Sequence, residues 1–128
     1  YALEDVVPCR ELAQHLLRLM ERGFILGTVS TVVEAEVLVK PLRQHDQLAV
    51  ERTELFFRHS PNLVVRSFDR AVARRAALVR ATRRLLLPDA IIVATALEER
   101  CDVLIGNDAD IARQAIGVPY LYLENYVS

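Results

Sequence analysis

The segment LPDAIIVATALEERCDVLIGNDADI, residues 87–111, constrains the fold more than any other. It sets an acid, Asp89, at the head of an almost wholly apolar stretch. A second short apolar run then closes on Asp108 and Asp110. The apolar pattern asks for burial, while an isolated carboxylate in low dielectric needs a partner, a proton or a cation. A fold for this chain must bury these runs and still provide for the acids.

The 128 residues suit one domain, and a hydrophobic content of 52% supplies a substantial core. The longest apolar runs (LRLM, LFF, AIIVATAL) fall short of the roughly 18 residues that a membrane span needs. No signal-peptide pattern of basic start, apolar middle and small-residue cleavage site is present. The chain therefore reads as cytoplasmic. Cys9 and Cys101 make no metal-type spacing with His15, His45 or His59, and they read as reduced packing thiols. The histidines fall in helix or loop contexts away from the acids and read as surface residues.

Alternating patterns organise the chain. Pro8 opens a helix in which Leu12, Leu16, Leu19 and Met20 recur at three- and four-residue spacing, with Gly23 at its end. Phe24 to Val29 reads as a short buried strand. Thr31-Val-Val-Glu34 has capping-box spacing for a helix to about Lys40-Pro41. Asp46 suits the cap of a third helix to about His59, and Leu63 to Phe68 a second strand. Asp69 suits the cap of a basic helix ending near Leu87. Pro88 then opens an apolar helix to about Arg100. Asp102 to Ile105 is a third strand, Asp108 to Ala115 a short helix, and Val118 to Leu123 a fourth strand. Strands alternating with helices predict an α/β fold with a mostly parallel sheet.

In open parallel sheets, sites form beyond the carboxyl ends of strands. Glu36, Asp89 and Asp108 all fall at such positions. Each has a simpler reading. Asp108 or Asn107 could cap the following helix, for about 1 kcal/mol, and Asp89 suits a helix first turn. Glu34 belongs to the capping box. Glu36, whose helical neighbours are Val32, Val33 and Val39, has no capping role. Clustered acids without a lysine or histidine repel unless a divalent cation lies among them, and oxygen ligands suit Mg²⁺ or Mn²⁺.

The segments STVVEAEVLVKPLR, LPDAIIVATAL and DVLIGNDADI, in this order and spacing, resemble the PIN-domain ribonucleases, especially the VapC-type toxins. The resemblance covers essentially the whole chain. It implies a three-layer α/β fold with a mostly parallel central sheet flanked by helices, and a single PIN-like domain over residues 1–128. Metal-binding catalytic acids would fall on Glu36, Asp89 and Asp108, with Asp110 as an additional metal neighbour and Asn107 and Ser30 supporting. The chemistry implied is Mg²⁺- or Mn²⁺-dependent cleavage of RNA to 5′-phosphate and 3′-hydroxyl ends by the toxin of a toxin–antitoxin pair. The family's first acid ends a first strand, and nothing here matches it; YALED is the stretch that normally follows. The expectation is that this strand is missing from the sequence as given.

Fifteen of the sixteen basic residues are arginines, and seven lie between Arg66 and Arg84, where Asp69 is the only acid. Arg74, Arg80, Arg83 and Arg84 could form a solvated helix face or a strip contacting RNA phosphates or an acidic antitoxin tail. The resemblance further implies a homodimer and an antitoxin partner. Leu16, Leu19, Phe56 and Phe57, near polar borders, read as surplus apolar surface for such contacts. Two alternatives remain open at this stage. One is a non-catalytic PIN-like binding or dimerisation module. The other is a phospho-receiver domain, disfavoured because the sole lysine, Lys40, lies in a helix after an early strand.

Overall fold

The computed structural model describes residues 10–106, 108–114 and 116–123. Cys9 and Asn107 lie outside the described residues. The elements run α1 (Arg10–Glu21), β1 (Gly27–Ser30), α2 (Thr31–Arg43), α3 (Gln47–His59), β2 (Leu63–Arg66), α4 (Arg70–Thr82), α5 (Leu87–Glu98), β3 (Leu104–Gly106), α6 (Ala109–Ala112) and β4 (Tyr120–Tyr122). All strand pairing is parallel, as the α/β pattern predicts. Among the described residues the strands form two pairs rather than one continuous sheet. β1 pairs with β2 in the register Gly27 to Leu63, and β3 with β4 in the register Leu104 to Tyr120.

Helix α5 is the centre of the packing, and its uniform apolarity follows from having core on two sides. One side places Ala90 and Val93 with Val79, Leu85, Ile111 and Ile116. The other places Ile91 and Ala94 against Val72 and Ala76 of α4, with Val32 of α2 alongside. Small residues at Ala76, Ala90 and Ala94, each 0–1% exposed, let the helix backbones approach closely. Two acids, Glu98 and Glu99, end α5 where the helix dipole disfavours negative charge. Arginines offset them: Arg75 Nε lies 2.9 Å from Glu98, and Arg66 Nη1 2.6 Å from Glu99.

Several boundaries differ from the sequence pattern, each for a local reason. The strand expected from Phe24 begins only at Gly27, and Phe24, Ile25 and Leu26 are exposed. They belong to the exit from α1, where Gly23 takes φ +81° and the Phe24 amide donates to Leu19 O. The β1 backbone starts so close to α1 that a Cβ on Gly27 would meet Met20 Sδ at 2.5 Å.

Helix α2 is capped by Ser30, whose hydroxyl accepts from Val32 N at 3.1 Å, so the expected capping box from Thr31 does not form. Thr31 instead uses its hydroxyl to accept from Phe68 N. Pro41 lies inside the last turn, and α2 continues to Arg43. Helix α4 stops at Thr82, short of Leu87, because Leu85 turns into the core at 3% exposure. Pro88 takes the second helical position of α5, not the first, where its missing N–H costs little.

Phe57 is buried, at 7% exposure, so it is not part of a partner surface; the exposed apolar residues include Phe24, Leu26, Leu42, Leu48, Leu55, Leu78 and Leu86. Among the described residues no helix is long and apolar enough to cross a membrane. Cys101 is a free, half-buried thiol within hydrogen-bonding reach of Thr28, in keeping with a packing role.

Candidate active site

Three short segments bring the acids toward one another. Asp89 lies in the first turn of α5, half-buried, where the helix dipole favours its charge. Asp108 follows β3 and caps α6: its Oδ1 accepts from Asp110 N at 2.8 Å and Ile111 N at 3.0 Å. Glu36 projects from the second turn of α2 and is exposed.

Their meeting shows at Asp89. Partial burial raises its carboxyl, and the Asp108 charge and a hydrogen-bonding contact with Asp108 raise it further. Glu36 and Asp110 add smaller repulsions, and together they push Asp89 up to about 6. The Asp108 carboxylate, for its part, is held by two backbone N–H groups. Asp110 points its carboxylate to Arg113, which neutralises part of it. Among the described residues no three His, Cys, Asp or Glu side chains close to the spacing that surrounds one ion. The grouping is thus a tight pair, Asp89 and Asp108, with Glu36 and Asp110 near enough to act through their charge.

Three contributors carried no sequence signal. Tyr120 of β4 reaches across the strand pair, and its hydroxyl accepts from the Asp108 amide at 3.0 Å. Burial pushes this phenol above its ordinary value; the Asp108 amide bond opposes the shift, and the Asp108, Tyr122 and Asp89 charges add to it. The hydroxyl therefore keeps its proton at neutral pH. Gln114 holds the loop before α5, accepting from Arg84 N at 2.9 Å and donating to Arg84 O at 2.8 Å. This clasp fixes the segment that carries Asp89 to the segment that carries Asp108. Arg113 is the third, through its pair with Asp110.

The arginines proposed for ligand contact separate. Arg80 donates to Leu85 O and Arg83 to Thr82 O, while Arg74 lies exposed on α4. Arg83 and Arg84 line a cavity with Arg113. Ser30, 3% exposed, acts as the α2 cap at the end of β1. His15, His45 and His59 are exposed, as expected.

The pattern of the PIN domain family matches residues 9–117, most of the sequence. The chain belongs to the PIN domain family. PIN domains are generally nucleases that use divalent metal ions. Among solved structures, a toxin–antitoxin complex from Klebsiella pneumoniae is similar to this PIN domain at 26% identity and a TM-score of 0.61, over 75% of this chain and 72% of that one. No functionally curated protein matches the sequence.

The electrostatics of the cluster predict a pH dependence. Asp89 ionises at about 6 in the folded protein against 3.8 ordinarily. Below pH 3.8 both folded and unfolded chains hold the proton, and its contribution to stability is fully present. As pH rises to about 6 the folded state retains a proton that the unfolded chain has released, so this contribution is lost. In chelator, the melting temperature of the wild type relative to Asp89→Asn should fall across this window. With Mn²⁺ added, the wild type should recover above pH 6 and the variant should not. Parallel pH profiles for the two proteins would contradict the account.

Tyr120→Phe should leave the Asp108 amide without its acceptor. Denaturant unfolding should show a loss of about 1 kcal/mol, and any activity of the site should fall roughly tenfold, the scale for a group that orients a functional side chain. Unchanged values for both would remove Tyr120 from the site.

Proposed function

We propose that this PIN domain is a metal-dependent endoribonuclease, the toxin of a toxin–antitoxin pair. The observation that carries the reading is the crowding at Asp89, where the neighbouring charges of Asp108, Glu36 and Asp110 are all negative. Clustered carboxylates of this kind lack a positive charge, and a divalent cation supplies it at neutral pH. The donor set is all oxygen, which fits Mg²⁺ or Mn²⁺. Asp89 and Asp108 would hold the ion, with Glu36 completing the set and Asp110 assisting. When bound, such an ion lowers the pKa of a water and stabilises the leaving oxygen of a phosphodiester.

The protein's own residues do the positioning. The two amides at Asp108 fix its carboxylate, the Tyr120 hydroxyl fixes the turn, and the Gln114 clasp fixes the approach to Asp89. Ser30 and Asn107 are proposed as supporting polar neighbours. The toxin role, an antitoxin partner and a homodimer draw support from the similar toxin–antitoxin complex and from the exposed apolar residues of α2 and α3, Leu42, Leu48 and Leu55. One observation favours a second reading, a non-catalytic PIN-like binding module: three ligands do not close around one point among the described residues. The phospho-receiver alternative gives way to the family match.

The test is cleavage of RNA by the full-length protein as its gene encodes it. Cleavage in Mg²⁺ or Mn²⁺ that stops with chelator and leaves 5′-phosphates is expected. Intact RNA under all metal conditions would favour the binding module.

A further inference from the structure

A cavity of about 460 Å³ opens between the loop joining α4 to α5 and the end of α6, lined by Thr82, Arg83, Arg84, Asp110, Arg113 and Gln114. Three arginines and one acid give it a formal charge of +2. The acid, Asp110, is paired with Arg113, and its charge also reaches Asp89. The cavity and the carboxylate cluster thus share a wall. Elsewhere in the basic stretch, Arg66 is held by Glu99 and Asp69, Arg75 by Glu98 and Arg80 by Leu85 O, while Arg83, at the cavity, donates to Thr82 O. The Gln114 clasp fixes the Arg84 backbone, so Arg84 stands on a rigid support beside the acids.

We propose that this cavity binds a backbone phosphate of the RNA strand whose cleavage the carboxylates carry out, an inference that rests on the nuclease reading above. Arginine forks match phosphate oxygens two at a time. A volume in the range of roughly 300–1,000 Å³ accepts a ligand the size of a nucleotide, where one acidic side chain would leave most of it empty. A polyanion that brings one phosphate to an acidic centre also needs cationic holding close by, and the shared wall at Asp110 supplies that continuity. An acidic peptide has no such reason to span both.

The test is binding of a fluorescein-labelled single-stranded RNA to the full-length protein in chelator, read by anisotropy across a salt series. Arg84→Gln should weaken binding about threefold, and Arg84→Gln/Arg113→Gln about tenfold. The double variant should also lower the slope of log affinity against log salt by roughly 0.7, the share of one neutralised phosphate on a single strand. Arg52→Gln, which removes the same charge from exposed α3 outside the cavity, should bind as the wild type does. All three side chains are at the surface, and circular dichroism should confirm unchanged folding. Cavity variants that bind no worse than Arg52→Gln would overturn the proposal. So would a labelled glutamate peptide that loses more affinity than RNA in the double variant.

Cleavage is scored separately. A wild type that cuts RNA while the double variant binds it undiminished keeps the nuclease and removes the cavity. A wild type that never cuts but loses RNA binding with the two arginines does the reverse.

Discussion

Asp89→Asn should lower metal-dependent RNA cleavage by more than about 100-fold while raising the melting temperature of the metal-free protein at neutral pH. The substitution keeps volume and hydrogen-bonding shape and removes the charge that Asp108, Glu36 and Asp110 oppose. In chelator at neutral pH the wild type carries that repulsion unrelieved, so the neutral amide stabilises it. With metal the sign reverses, because the lost charge is the one a cation needs most. Groups that merely orient a metal ligand are worth 10–100-fold in affinity or activity, and a direct ligand should exceed them. A variant that cuts RNA at the wild-type rate would remove Asp89 from the chemistry. A variant that is less stable in chelator would instead make its charge a structural asset.

The second large effect separates two duties of Asp108. Its carboxylate caps α6 through the Asp110 and Ile111 amides and also faces Asp89. Asparagine preserves the cap, since its carbonyl oxygen can accept the same bonds, whereas alanine removes both duties. Asp108→Asn should unfold at nearly the wild-type denaturant midpoint, and Asp108→Ala should lose about 1 kcal/mol. Both should lose cleavage to a similar, more than 100-fold, extent. If asparagine retains cleavage, Asp108 is a cap and nothing more.

The features legible in the sequence were those with local causes. Asp46 and Asp69 cap α3 and α4 as expected, each accepting an amide three residues ahead, Ala49 and Val72. The apolar run of α5 signalled burial, and the structure gives it two core faces. Where one signal served two purposes, the reading slipped. Phe24 to Leu26 are apolar like a buried strand but belong to the exposed turn after α1. Ser30 takes the cap that the Thr31 and Glu34 spacing predicts, because Thr31 accepts from Phe68 N instead.

The candidate site divides the same way. Glu36, Asp89 and Asp108 stand out in the sequence because an acid in an apolar pattern is conspicuous. The groups that hold them do not, since their contacts join distant parts of the chain. Tyr120 meets Asp108 across 12 residues, and Gln114 meets Arg84 across 30. A tyrosine in an apolar strand and a glutamine after a short helix carry no mark of such partners. Strand register and loop closure alone bring them together.

The central claim, that the carboxylates hold a divalent ion, is tested most directly by anomalous diffraction from crystals of the full-length protein soaked in Mn²⁺. The account predicts a manganese peak at bonding distance from carboxylate oxygens of both Asp89 and Asp108, absent from crystals of Asp89→Asn. Manganese bound only elsewhere, or a peak that persists unchanged in the variant, would contradict it.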